Sequence, residues 1–381
     1  MTEKLLTNAR IVLADRVIEG GTLAVRGGVI ADISEGASAA PAALDCEGDL
    51  LLPGLIELHT DNLERHIMPR PEAYWPADAA VMGHDREIAA AGITTVFNAL
   101  CVGEVHSRSM RVQLLNEMSD AIEAQMASGA LKVDHYFHWR CEISFGGMLE
   151  LLEPLLDYPR LRLLSVMDHT PGQRQFTDLA SYRAYYQGKY RMTEEELQEF
   201  IDQRVAEQKL YSAKNRAAVV AHGRERGIRL ASHDDATPGH VEEALADGMV
   251  IAEFPTTVEA ATASHSAGLA VLMGAPNVVR GKSHTGNVSA RQLGGLGVLD
   301  ILSSDYVPGS LLYGALLLES EEAGITLPQA VATVTRNPAR AVGLEDRGEI
   351  ALGLRADLVR CRPTQGAPII RDVWREGEKV A

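Results

Sequence analysis

Residues 53–64 read PGLIELHTDNLE, an apolar run that ends on His59 and places Asp61 two positions further on. Side chains alternate along a strand, so an imidazole and a carboxylate at this spacing face the same way. Such a donor pair at the tip of an apolar strand is a candidate metal-binding element. Seven more apolar segments follow: GITTVFNALCV (92–102), VDHYFHWRCE (133–142), LRLLSVMDH (161–169), IRLASHDD (228–235), MVIAEFPTT (249–257), LAVLMGAP (269–276) and VLDILSSD (298–305). Helical stretches separate them. One opens on Thr193 with Glu196 at capping-box spacing and stops at Gly227. Another has Thr237 as N-cap, Pro238 at the first helical position and Gly248 at its end. Strands alternating with helices over residues 53–345 predict an α/β fold, a (β/α)8 TIM-like barrel.

The two ends of the chain read differently. Residues 1–52 break into short alternating strands, with turns expected at Gly20-Gly21 and Gly27-Gly28. Residues 346–381 repeat the pattern in GEIALGLRADLVRCRP and PIIRDVWREGEKV. The expectation is one small composite β-sandwich domain built from both termini.

Polar residues fall just after the apolar strands: His59 and Asp61, Glu142, His169, His233 with Asp234, and Asp305. In a barrel those strand ends meet on one rim, where active sites of this fold are built. His59, His169 and His233 with Asp61, Glu142 and Asp305 suit divalent Zn, Mn or Fe. Two metals roughly 3.5–4 Å apart need a bridging carboxylate and activate a shared water. Glu142 is the expected bridge, and Asp305 the residue that completes one metal and takes a proton.

Composition limits the alternatives. With 46% hydrophobic and 23% charged residues the chain reads as an ordinary soluble protein. A formal charge of −16 argues against a nucleic-acid binder, which needs a broad basic face. No apolar stretch suggests a signal peptide or membrane span, and Cys46, Cys101, Cys141 and Cys361 lack any CxxC spacing. A cytoplasmic enzyme, with a homo-oligomer compatible with the architecture, is expected.

The ligand order, together with LLPGLIELHTD (51–61), AGITTV (91–96), SSD (303–305) and NPARAVGLEDRGEIALGLRADLV (337–359), resembles the amidohydrolase superfamily. That resemblance implies His59, Asp61, Glu142 and Asp305 at one metal, and Glu142, His169 and His233 at the other. Two departures stand out. Asp61 occupies the place of a usual second histidine, and His169 and His233 come one strand earlier than the common scheme. ELHTDNLE, PRPEAYWPA, DHTPGQRQF and MGAPNVVRGKSH further resemble a phosphonate-metabolism branch of the superfamily. This implies hydrolysis of a small-molecule triphosphate ester to the 5-phosphate and pyrophosphate. Phosphate chemistry needs local cations, and the strand-end loops carry Arg140, Arg174, Lys189, Arg280, Lys282 and His284 as candidate substrate contacts.

Competing readings are an amide or cyclic-imide hydrolase of the same superfamily, and a barrel that only binds partners. GAPNVVRGKSH mimics the end of a phosphate-binding P-loop, but the required first glycine is Pro276. Asp168 competes with His169 as a donor, and Asp234 and Asp235 suit supporting or helix-capping roles. His135 and His138, three apart on a strand, face opposite ways and read as structural. His84 and Asp85 are expected to open a helix. His66, His106, His222 and His265 have no context beyond surface or packing.

Overall fold

The computed structural model describes residues 3–71, 73–104, 111–176, 179–283, 287–320 and 323–381. The chain opens with β1 (Glu3–Val12), β2 (Val17–Arg26), β3 (Val29–Ser34), β4 (Leu44–Asp45) and β5 (Leu50–Pro53). β1 pairs antiparallel with β2 and parallel with β4 and β5. Gly27 and Gly28 turn the β2–β3 hairpin with φ of 60° and 82°, as their positions suggested. Gly20 and Gly21 do not form a turn. They lie inside β2, opposite register shifts in β1, and a Cβ on Gly21 would come within 2.8 Å of Ile11. The pair makes a bulge, a feature that composition cannot distinguish from a turn.

Gly54 hands the chain from β5 to the barrel, and a Cβ there would land on the Thr94 side chain. The barrel strands are β6 (Leu55–Thr60), β7 (Ile93–Val102), β8 (Asp134–Glu142), β9 (Leu161–Met167), β10 (Arg229–His233), β11 (Ile251–Glu253), β12 (Ala270–Gly274) and β13 (Ile301–Ser303). They correspond to the eight apolar segments of the sequence and pair in parallel, each with its neighbour in the chain. Ile56, Leu58, Phe97, Leu163, Ala231, Ile251, Leu272 and Ile301 share one buried cluster that fills the interior. Alternation does the sorting: on β8, Phe137, Trp139 and Cys141 pack outward, leaving His138, Arg140 and Glu142 on the inward face.

Closure happens at β13 and β6. The ring is completed by a parallel bridge between Thr60 and Asp305. Below it the Glu57 carboxylate spans the seam, accepting the amide N–H groups of His59 at 2.6 Å and Ser304 at 2.5 Å. Burial pushes the Glu57 carboxyl up to about 8.

After the barrel, β14 (Leu358–Arg362) pairs antiparallel with β5, followed by β15 (Ile369–Arg375) and β16 (Glu378–Lys379). Both termini thus join one eight-stranded sheet, with a shared core including Ile11, Leu23, Ile30, Leu51, Leu358 and Trp374. The Gly348–Asp357 stretch is not a strand; its backbone is tied to Gly28 and Ile30 through Ala356, Gly353 and Leu354. Among the described residues, no helix is long and apolar enough to cross a membrane.

Candidate active site

Three strand ends share an unusual backbone. Asp234, Phe254 and Asp305 have φ of 57°, 51° and 55°, in the left-handed region that non-glycine residues seldom enter. Strain of this kind, of order ~1–3 kcal/mol each, clusters at functional sites. Asp234 and Phe254 follow β10 and β11 directly, and Asp305 follows β13 by two residues. The tight exits turn the chain over the barrel mouth.

Glu253, fully buried at the end of β11, organises the imidazoles. One oxygen is 2.9 Å from His59 Nδ1, the other 3.2 Å from His233 Nδ1, and His138 Nε2 lies at 3.8 Å. Burial pushes this carboxyl up, but His138 and His233 pull it below its ordinary value. An ionised carboxylate only accepts, so both Nδ1 atoms carry the proton and each Nε2 keeps its lone pair. Burial, helped by the Arg140 charge, keeps His59 well below its ordinary pKa, and burial takes His233 down to about 3. His59 stacks on His233 at 5.6 Å, and the Phe254 ring lies edge-on to both.

On the other side, Glu142 accepts from Ser144 Oγ at 2.6 Å and His169 Nδ1 at 2.6 Å. Burial alone would lower the His169 pKa, but the Glu142 carboxylate raises it. Asp234 sits between two rings, 3.5 Å from His233 Nε2 and 3.9 Å from His169 Nε2. Burial raises Asp234 to about 7 and also raises Asp61 and Asp305. Asp305 is fixed through its backbone: its N–H donates to His59 C=O, and its C=O accepts from Asp61 N–H, both at 3.2 Å.

The barrel mouth therefore gathers His59, Asp61, Glu142, His169, His233 and Asp305, with Asp234 added. His169, His233 and Asp234 present donor atoms within 4.8 Å of one another, and so do His59, His138 and Glu253. His138 is already committed, to Leu58 C=O and Ser165 Oγ, both at 2.9 Å. Imidazoles beside buried carboxylates, with no ion-pair partner for Asp305 among the described residues, form a donor set that suits divalent cations.

The six expected phosphate contacts separate. Arg140 points into the mouth from β8. Arg174 is buried and ion-paired to Asp235 and Glu243, which braces its loop against the helix Pro238–Ala246. Arg280 and Lys282 are exposed at the end of the helix Ala275–Arg280, which follows β12. Lys189 belongs to the helix Leu179–Tyr190, its side chain lying outside what is described, and His284 lies outside the described residues. His84 and Asp85 do not open a helix: they sit mid-helix in Ala77–Ala90, buried. Asp85 accepts the amides of Lys132 and Val133 and faces His135, while His84 bonds Asn62 and Asn98. Glu253, Glu57 and Phe254 were not singled out from sequence, nor was Arg111, which pairs with Glu64 at 3.0 Å and lies 3.9 Å from Asp61. A lone glutamate inside an apolar strand, as in VIAEF and LIELH, was the available signal, since a buried acid requires a partner.

The amidohydrolase family profile matches residues 86–372. The chain belongs to the amidohydrolase family. It is 48% identical, over 99% of its length and 100% of the relative, to alpha-D-ribose 1-methylphosphonate 5-triphosphate diphosphatase of Escherichia coli (strain K12). An imidazolonepropionase of Deinococcus deserti is 25% identical over 95% of this chain and 92% of its own. Among solved structures, N-isopropylammelide isopropylaminohydrolase of Burkholderia multivorans superposes with a TM-score of 0.65 at 19% identity, covering 100% and 98% of the two chains. In this amidohydrolase His169 follows the fourth barrel strand and His233 ends the fifth, as the order of apolar segments in the sequence has them.

Proposed function

We propose that this amidohydrolase hydrolyses alpha-D-ribose 1-methylphosphonate 5-triphosphate to the 5-phosphate and pyrophosphate, in phosphonate catabolism. The observation that carries this is the end-to-end likeness, at 48% identity, to the E. coli diphosphatase. A metal-suited donor cluster beside the inward-facing Arg140 is consistent with it.

Two divalent cations, zinc or manganese, would be held by His59, Asp61, Glu142 and Asp305 and by Glu142, His169 and His233, with Asp234 adjoining the second set. When bound, they supply Lewis acidity toward phosphate oxygens and lower the pKa of a water. The protein's own part is orientation and proton handling. Glu253 holds His59 and His233 in the tautomer that leaves Nε2 free. Phe254 covers the edges of both rings and keeps water from them. Asp305, held at the seam by its backbone bonds to His59 and Asp61, takes the proton from the attacking water. The exposed Arg280 and Lys282, at the end of the helix after the seventh barrel strand, are the cations proposed to meet a departing pyrophosphate's charge.

The test is pyrophosphate release from the triphosphate by protein loaded with zinc or manganese, run beside a panel of cyclic imides. Stoichiometric pyrophosphate and 5-phosphate are expected. The likeness to imidazolonepropionase favours the cyclic-imide reading second. Imide turnover without pyrophosphate release would replace the first reading with it.

A further inference from the structure

Among the described residues six arginines are buried: Arg140, Arg174, Arg204, Arg216, Arg347 and Arg360. Five are ion-paired, Arg174 to Asp235, Arg204 to Glu207, Arg216 to Asp247, Arg347 to Asp134 and Arg360 to Asp49. Arg140 differs. It is 9% exposed, and among the described residues no carboxylate lies within 4.0 Å of its guanidinium; its Nε is also buried with no hydrogen-bond partner, which single nitrogens of Arg216 and Arg360 share. A guanidinium does not escape by losing its proton, and leaving it buried and unpaired is costly. The missing partner is therefore expected to be something that enters the site.

Its position narrows what that something is. Arg140 stands on the inward face of β8 between His138 and Glu142, with its backbone held in register against Cys101 and Ser165. So it lies within the donor cluster and not on the outer rim with Arg280 and Lys282. The surrounding carboxylates leave it unpaired, which keeps them available to cations and the guanidinium available to an anion. A planar fork of donors matches a phosphoryl group's oxygens two at a time. A neutral amide or imide offers no charge to offset it.

The geometry points to Arg140 as a catalytic residue that binds the oxygens of the reacting phosphoryl group and selects phosphate esters over neutral amides. This deepens the diphosphatase reading and rests on it for the identity of the anion. The guanidinium is held ready where bond cleavage occurs, so it also meets the cleaved end of the departing pyrophosphate, whose far end the rim cations serve.

The experiment compares metal-loaded wild type with Arg140→Met and Arg140→Lys. It records metal content, kcat and KM for the triphosphate, and the affinity for inorganic pyrophosphate by calorimetry. Arg140→Met is expected to keep its metal, bind pyrophosphate at least about tenfold more weakly and lose about 100-fold or more in kcat/KM, with the loss mainly in kcat. Arg140→Lys should recover part of the binding. Pyrophosphate affinity and kcat/KM within about threefold of wild type in a metal-replete Arg140→Met protein would overturn the assignment. If that variant does not fold or load, a crystal structure of metal-loaded wild type soaked with inorganic pyrophosphate decides. A phosphate oxygen within hydrogen-bond distance of Arg140 supports the assignment, and pyrophosphate bound elsewhere in the site overturns it. Wild type that binds pyrophosphate through Arg140 without cleaving the triphosphate would sink the diphosphatase reading and leave the anion site standing.

Discussion

Glu253 on β11 and His59 on β6, 194 positions apart in the chain, meet inside the barrel at 2.9 Å. The other Glu253 oxygen takes His233. One buried carboxylate thereby sets the orientation of two imidazoles that start on different strands. Replacing Glu253→Gln leaves one acceptor oxygen for two N–H groups and removes the charge. Metal affinity, read by chelator competition, should fall about 10–100-fold while the fold is kept. Unchanged affinity would show that Glu253 does not orient the donors.

The carboxylates make the metal-free protein pH-sensitive. Asp234 is raised by burial to about 7, and Asp61 and Asp305 are raised as well, from a carboxylate's ordinary value of about 3.9. Each holds its proton more tightly folded than unfolded. Their stabilising contribution is thus complete below about pH 4 and disappears as pH climbs through about 7. In chelator, Asp234→Asn should weaken the decline in Tm over that range relative to wild type. The Tm gain on adding zinc or manganese should grow over the same range, because bound donors must be deprotonated. A metal-induced gain independent of pH would contradict both expectations.

Asp61 offers an oxygen where the superfamily resemblance anticipates an imidazole. Asp61→His is expected to keep some metal and shift preference toward softer ions, measured by competitive loading with zinc and manganese. If Asp61→Ala retains full metal content and activity, Asp61 is not a ligand.

Arg174 separates a structural from a substrate role. Its guanidinium is paired with buried Asp235, so Arg174→Met leaves a buried acid without its partner. A loss of about 3–5 kcal/mol in chemical denaturation is expected. A variant of wild-type stability with a raised KM would instead return Arg174 to the substrate.

Behind the barrel wall, Asn98 links two buried histidines, taking His84 Nε2 at 3.1 Å and facing His135 Nδ1 at 3.2 Å. Burial drives His84 down to about 3, so it works as a neutral hydrogen-bonding group. Asn98→Leu leaves one nitrogen of each ring without its partner and should cost about 1–3 kcal/mol for each unsatisfied group. Urea denaturation measures it, and a loss under about 0.5 kcal/mol would mean the rings find other partners.

Much of the molecule was legible in one dimension. The eight barrel strands, the helix starting at Thr193, and the strand-end placement of His59, Glu142, His169, His233 and Asp305 all follow from short-range signals. Strand alternation, capping spacing and apolar runs are properties of residues only a few positions apart. That is why the architecture, and the polar residues it carries to the rim, can be read from the chain alone. How those residues are partnered depends on contacts between distant strands. Glu253 resembles any glutamate until barrel closure brings His59 and His233 to it. Arg174 and Arg140 read alike as loop and strand-end cations, yet one meets Asp235 and the other has no carboxylate partner among the described residues. Gly20 and Gly21 read as a turn until the opposing Ile11 turns them into a bulge. Partner choice depends on which distant strands become neighbours, and that is set when the ring closes between Thr60 and Asp305, not by any local pattern.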